Sequence, residues 1–152
     1  MEKVFGIIPA SFGPILFVVG IAVVLILIIG LLAYIGYSSK NVRFEVSDEG
    51  LRISRSIYGR FIPSTEIAVE GVRVIDLRVD SEYSPKRRTN GAFLPGFAEG
   101  WFKLKNDKKA LLFLTDRSSV VYIPTTKDYS MLLSVREAEE FTELVKRWEQ
   151  GR

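Results

Sequence analysis

The sequence predicts a mainly β protein with one N-terminal transmembrane helix and one C-terminal amphipathic helix. Three observations predict it. Residues 15–37 run without a single charge. From Val42 onward, short segments alternate apolar and polar residues between clusters of turn formers. From Ser134 to the end the apolar spacing becomes helical.

The apolar run is long enough to cross a bilayer. At about 1.5 Å per residue it reaches roughly 35 Å, against a hydrocarbon core of about 30 Å. A cleavable signal would need a basic start, an apolar stretch of about 7–15 residues and a small-x-small cleavage site. Here the start is Met1-Glu2-Lys3, the run is longer, and Gly36-Tyr37-Ser38 is a poor cleavage sequence. A buried core helix would keep a polar face, and this run has none. The expectation is a retained single-pass anchor at residues 15–37, with an irregular interfacial segment at 1–14, where prolines and glycines cluster. Tyr34 and Tyr37 sit where an interfacial aromatic belt would lie. The small residues of the span make no G-x-x-x-G pair, so no dimer face is indicated and the oligomeric state is left open. Lys3 alone precedes the span, whereas Lys40, Arg43, Arg52, Arg55 and Arg60 follow it. That bias predicts a cell-membrane protein whose C-terminal domain is cytoplasmic.

Residues 38–41 are read as a linker of at most about 14 Å, and 42–150 as one small domain with its own core. Val42, Phe44 and Val46 alternate with Arg43 and Glu45, and Leu51 and Ile53 with Arg52 and Ser54. Ser47-Asp48-Glu49-Gly50 joins them as a hairpin. Arg60-Phe61-Ile62 is a short third strand stopped by Pro63, and residues 64–67 form a turn. Residues 72–79 read as a strand whose phase changes near Val74, as a bulge would require. Residues 80–100, with Pro85, Pro95 and three glycines, read as the longest irregular stretch. Residues 101–105, 110–115, 120–123 and 129–133 then read as a four-stranded meander, the second of them buried on both sides. In the closing helix Ser134 and Glu137 form an S-x-x-E capping box. Ala138, Phe141, Leu144, Val145 and Trp148 share one face. The tally is about eight strands and a helix that must cover an open edge or end of a rolled sheet.

Net charge is +3, from 21 basic and 18 acidic residues, without the one-faced clustering that nucleic acid requires. Cysteine and histidine are absent. A disulfide framework, a thiolate metal site and a histidine-based triad are therefore excluded. No Gly-rich phosphate loop is present. No catalytic residue, metal ligand or cofactor is nominated, and the chain is expected not to be an enzyme.

Certain residues resemble the bacterial pleckstrin-homology-like (bacterial PH) domain family. They are Phe44-Glu45-Val46 with Gly50-Leu51-Arg52-Ile53, the step from Ile62-Pro63 to Glu66-Ile67, and Arg88-Thr89-Asn90-Gly91 before Leu94-Pro95-Gly96. Gly100-Trp101-Phe102, Leu112-Phe113-Leu114-Thr115-Asp116 and Leu132-Leu133-Ser134 complete the set. The likeness covers roughly residues 41–148. It implies a strongly bent antiparallel sheet, a partly open barrel of about seven or eight strands, capped by the C-terminal helix. It also implies a binding or scaffolding module with no settled ligand.

The first candidate contact is Lys86-Arg87-Arg88, which could meet anionic headgroups at about 1 kcal/mol per basic residue. A triplet is also what a solvated loop carries. Outward Trp101 with Lys103 and Lys105, and beyond them Lys108 and Lys109, would extend the patch. Lysines equally serve to protect a sheet edge. Asn90, in Arg88-Thr89-Asn90-Gly91, belongs either to a ligand loop or to a turn. The leading expectation is a module that binds another membrane or membrane-associated protein at the bilayer surface, for example along an exposed sheet edge. A domain already anchored gains little from lipid affinity as a means of recruitment. Anionic lipid sensing through residues 86–88 is the alternative.

Overall fold

The computed structural model describes Lys3, Gly6 and residues 11–150. Most of the interfacial segment expected at 1–14 lies outside them. The chain divides into two compact units, Met1–Tyr37 and Ser38–Arg152.

Helix α1 runs from Gly13–Asn41. Its first turn begins with the Leu16 N–H donating to the Phe12 carbonyl (3.1 Å). Pro14 is tolerated there because a first-turn residue has no intrahelical acceptor for an N–H. The stretch Gly13–Tyr37 is long and apolar enough to cross a membrane, and none of it is buried against protein. The helix starts two residues before the expected span. It also takes in the four residues read as a linker, since Ser38-Ser39-Lys40-Asn41 holds no proline or glycine to stop it.

Among the described residues, the second unit holds nine strands in two sheets, three 3-10 turns and one further α-helix. Strands β1 (Arg43–Ser47), β2 (Gly50–Ser54) and β3 (Phe61–Pro63) form an antiparallel sheet, with Phe44 opposite Ile53 and Val46 opposite Leu51. The other six are β4 (Arg73–Ile75), β5 (Pro85–Leu94), β6 (Phe97–Leu104), β7 (Lys109–Leu114), β8 (Val120–Pro124) and β9 (Ser130–Leu133). Their order is β4-β8-β9-β7-β6-β5. Helix α2 (Ala138–Gln150) follows.

The central strands of the six-stranded sheet, β7, β8 and β9, are buried on both faces. Leu111 and Phe113 of β7 face Leu51, Ile53, Ile62 and the α2 residues Phe141, Val145 and Trp148. Ala110, Leu112 and Leu114 face the other way, with Phe102, Leu104, Tyr122 and Leu132. Ile75 of β4 and Leu77 beyond it belong to this second cluster, and Tyr83 packs on it. The sheet thus rolls over its own inner face, yet its edges β4 and β5 do not pair. The indole Nε1 of Trp148 donates to the Ser47 carbonyl (2.9 Å) and pins α2 to the first hairpin.

Four expectations are corrected. Residues 85–104 form a long hairpin, not a loop, turning at Pro95-Gly96 with Gly96 at φ 76°. Only residues 76–84 are irregular, with one 3-10 turn at Ser81–Tyr83. The strand expected over 72–79 stops at Ile75. The Asp76 side chain accepts the Arg78 N–H (2.9 Å) and its carbonyl accepts the Asp80 N–H (2.7 Å), turning the chain. No bulge is needed near Val74, because Val72 and Val74 pack on the first cluster and Ile75 on the second, as opposite faces of one regular strand do. Val79, which would share a face with Ile75 and Leu77 in a continuous strand, is 78% exposed while those two are buried. The last four strands are not a meander, because β9 lies between β7 and β8 and runs parallel to β7. The largely apolar β7 and β9 thereby sit together where both faces are covered. Ser134 does not cap α2. Its hydroxyl accepts the Thr115 and Asp116 N–H groups (3.1 Å each) and donates to the Asp116 carbonyl (2.8 Å), clipping the β7–β8 loop. The helix begins later, where the Glu137 carbonyl accepts the Phe141 N–H (2.9 Å).

Candidate functional site

Lys86, Arg87, Arg88 and Asn90 lie exposed on β5, an outer edge strand rather than a loop. Their pairing with β6 is interrupted between Pro85 and Arg87 and between Arg88 and Asn90. From Asn90 to Leu94 it is regular, with Phe93 opposite Ala98. Lys86 Nζ lies 3.1 Å from Asp107 Oδ1, and Lys103 Nζ 3.2 Å from the same oxygen. One carboxylate in the β6–β7 turn therefore holds two of the candidate cations. Hydrogen bonds from Lys86 and then Lys103 keep the Asp107 carboxyl below its ordinary range. Arg87, Arg88 and Lys105 are exposed, and none of them makes an ion pair among the described residues.

Asn90-Gly91 belongs to neither a ligand loop nor a turn. The Tyr58 hydroxyl donates to Asn90 Oδ1 (3.0 Å), which seats the β2–β3 connection on the hairpin. Gly91 pairs with Gly100 there. Gly100 has φ 111°, and a Cβ on it would stand 2.5 Å from the Asn90 carbonyl oxygen and 3.1 Å from the Tyr58 ring. A side chain is excluded on both counts. Beside it Glu99 is 1% exposed and accepts the Ser56 hydroxyl.

Trp101, expected outward, is half-buried. Lys109 Nζ stands 4.4 Å and Arg60 Cζ 4.8 Å from its ring centroid, and Tyr129 meets it edge-on at 5.2 Å. These cation–π contacts hold the half-buried ring in place. Sequence reasoning passed over Tyr58, Arg60 and Tyr129, because their partners come from strands far away in the chain.

A cleft of about 580 Å³ opens between the β6–β7 turn and the β8–β9 hairpin. Lys108 and Lys109 line one wall, Lys127 the other, with Tyr122, Tyr129 and Ser130 between. Lys127 pairs with Glu66 at 2.8 Å, and that hydrogen bond raises the ammonium pKa. Among the described residues, no three carboxylates gather as a metal site would need.

The rolled, open sheet closed by a C-terminal helix now has its counterpart among known families. The bacterial PH domain family matches residues 42–148. The chain belongs to that family. No curated protein and no solved structure matches it. PH domains are non-catalytic binding modules, so a PH fold assigns this chain the class of a binding module. Within this PH domain the structure brings Lys86 and Lys103 together on Asp107. It leaves Arg87 and Arg88 on the outer edge and removes Trp101 into packing.

Proposed function

We propose that this PH domain is held at the cytoplasmic face of the cell membrane by α1. There it binds an extended, acidic segment of another membrane protein along the β5 edge. The observation that carries the reading is β5 itself: ten residues on a sheet edge with no strand beyond it among the described residues, regular from Asn90 to Leu94 and basic at Arg87 and Arg88. Backbone groups on such an edge give affinity, and the guanidinium groups favour an acidic partner. The basic residues after the span support the cytoplasmic side.

The alternative is anionic lipid sensing through Lys86, Arg87 and Arg88. The ion pair of Lys86 with Asp107 counts against it, since it leaves fewer cations than the usual cluster of about 4–8. The test uses the full chain in membranes of its native host. A photo-crosslinking residue replaces Arg87 in one variant and Glu139 of α2 in a control. Adducts to one membrane protein from position 87 alone, reduced by Arg88→Glu, are expected. Equal adducts from both positions, or none from position 87, would remove the edge reading. Amide exchange of β5 in anionic against neutral nanodiscs decides the alternative: protection by anionic lipid alone would favour headgroup contact.

A further inference from the structure

We infer that the cleft between the β6–β7 turn and the β8–β9 hairpin is a binding site for a phosphomonoester. It does not rest on the β5 reading. Its volume, about 580 Å³, lies in the range of small-molecule sites. Two independent features make it selective for such an anion.

The first is charge. Lys108 and Lys127 line the cleft from two loops, and Lys109 lines it from the start of β7, its ammonium resting on the Trp101 ring. Two carboxylates also line it, but Asp107 is already shared by Lys86 and Lys103. Asp128 is left against Lys108 and Lys109. Local charge is therefore positive with Lys127 neutralised by Glu66, and more so if an anion draws that lysine inward.

The second feature is an unsatisfied hydroxyl. Ser130 is 4% exposed at the start of β9, and its Oγ has no hydrogen-bond partner. A buried hydroxyl left unpaired costs free energy that a ligand oxygen can recover. The residue is placed between β7 and β8, opposite Ala110 and Pro124, and lines the cleft with Tyr122. The walls are preformed. The Thr125 hydroxyl donates to the Tyr129 carbonyl, the Tyr129 N–H donates to the Lys127 carbonyl (2.8 Å), and the Lys108 N–H donates to Asn106 Oδ1 (3.1 Å). Preformed walls lower the ordering cost of binding.

The phosphomonoester could be a free metabolite or a phosphatidic acid headgroup, and the test separates them. The full chain in neutral phosphatidylcholine nanodiscs is titrated calorimetrically with inorganic phosphate and with glycerol 3-phosphate. A second set of nanodiscs contains phosphatidic acid. Saturable binding with a Kd on the order of 1 mM or tighter is expected. Lys108→Ala with Lys109→Ala should weaken it at least about tenfold. Ser130→Ala should weaken it several-fold while leaving the melting temperature unchanged or higher, because it removes an unpaired hydroxyl. Tighter binding of the soluble esters assigns a free ligand. Loss of their binding in phosphatidic acid nanodiscs assigns the headgroup, and either outcome supports the class. No saturation on the order of 10 mM together with no phosphatidic acid effect would overturn it. So would binding that survives both substitutions, or a Ser130→Ala variant that melts lower and binds phosphate as before.

Discussion

Strands β5 and β7 both pair with β6, on its two sides, and have opposite lives. Strand β7 is buried from Ala110 to Leu114, its side chains alternating between two cores. Strand β5 is exposed from Lys86 to Asn90 and has a neighbour on one side only. One strand is fixed by what its side chains avoid, water. The other is fixed by what its backbone finds, the hydrogen bonds of β6. Stability is therefore concentrated in β7, and the surface open to a partner is concentrated in β5.

The largest predicted effect falls on the buried strand. Leu112→Ala, at a fully buried position, should cost about 2–5 kcal/mol, read from chemical denaturation of the full chain in detergent. A cost below about 1 kcal/mol would show that β7 is not central to the core. Next comes the attachment of β5. Gly100→Ala forces a side chain into a left-handed backbone against the Asn90 carbonyl. It should cost about 1–3 kcal/mol and expose β5 to proteolysis before the rest of the domain.

Smaller still is the basic edge. Arg87→Glu with Arg88→Glu should change stability by no more than about 0.5 kcal/mol, yet abolish crosslinks from the remaining β5 positions. A comparable loss of stability would erase the division between the two strands. The smallest effect concerns Asp107. Asp107→Asn should release Lys86 and Lys103 and lower the denaturation midpoint of the domain slightly at neutral pH. Because the folded pKa of Asp107 is depressed, its contribution is present above the unfolded value of 3.8. It is lost as pH falls through the depressed folded value. The difference between Asp107→Asn and the parent should therefore vanish in acid and persist at neutral pH. The same window applies to Asp76, which hydrogen bonds from the Arg78 side chain and then its backbone hold at about 2.

The candidate site was legible in residue type more than in place. The triplet Lys86-Arg87-Arg88 stood out as basic, but its polarity concealed a strand, because an edge strand exposed on both faces need not alternate. The sequence places Lys103 on the outward face of its strand, and nothing local announces that Asp107 lies across a turn from it and also across a hairpin from Lys86. Trp101 was read as outward from the phase of β6. The phase was right, but the outward face of that strand is where Arg60, Lys109 and Tyr129 arrive.

By itself the sequence determined α1, the strands β1, β2 and β7 and the apolar stripe of α2. These follow from apolar burial and from periods of two or about 3.6, which are properties of adjacent residues. Only the tertiary structure decided that β9 would separate β7 from β8, that β5 would be a strand at all, and that Ser134 would hold a loop instead of a helix. It alone placed Lys108, Lys109, Lys127 and the unpaired Ser130 hydroxyl around one cleft. Those outcomes depend on hydrogen bonds and charges between residues far apart in the chain, and the chain encodes such contacts only jointly, once all strands have closed on one another.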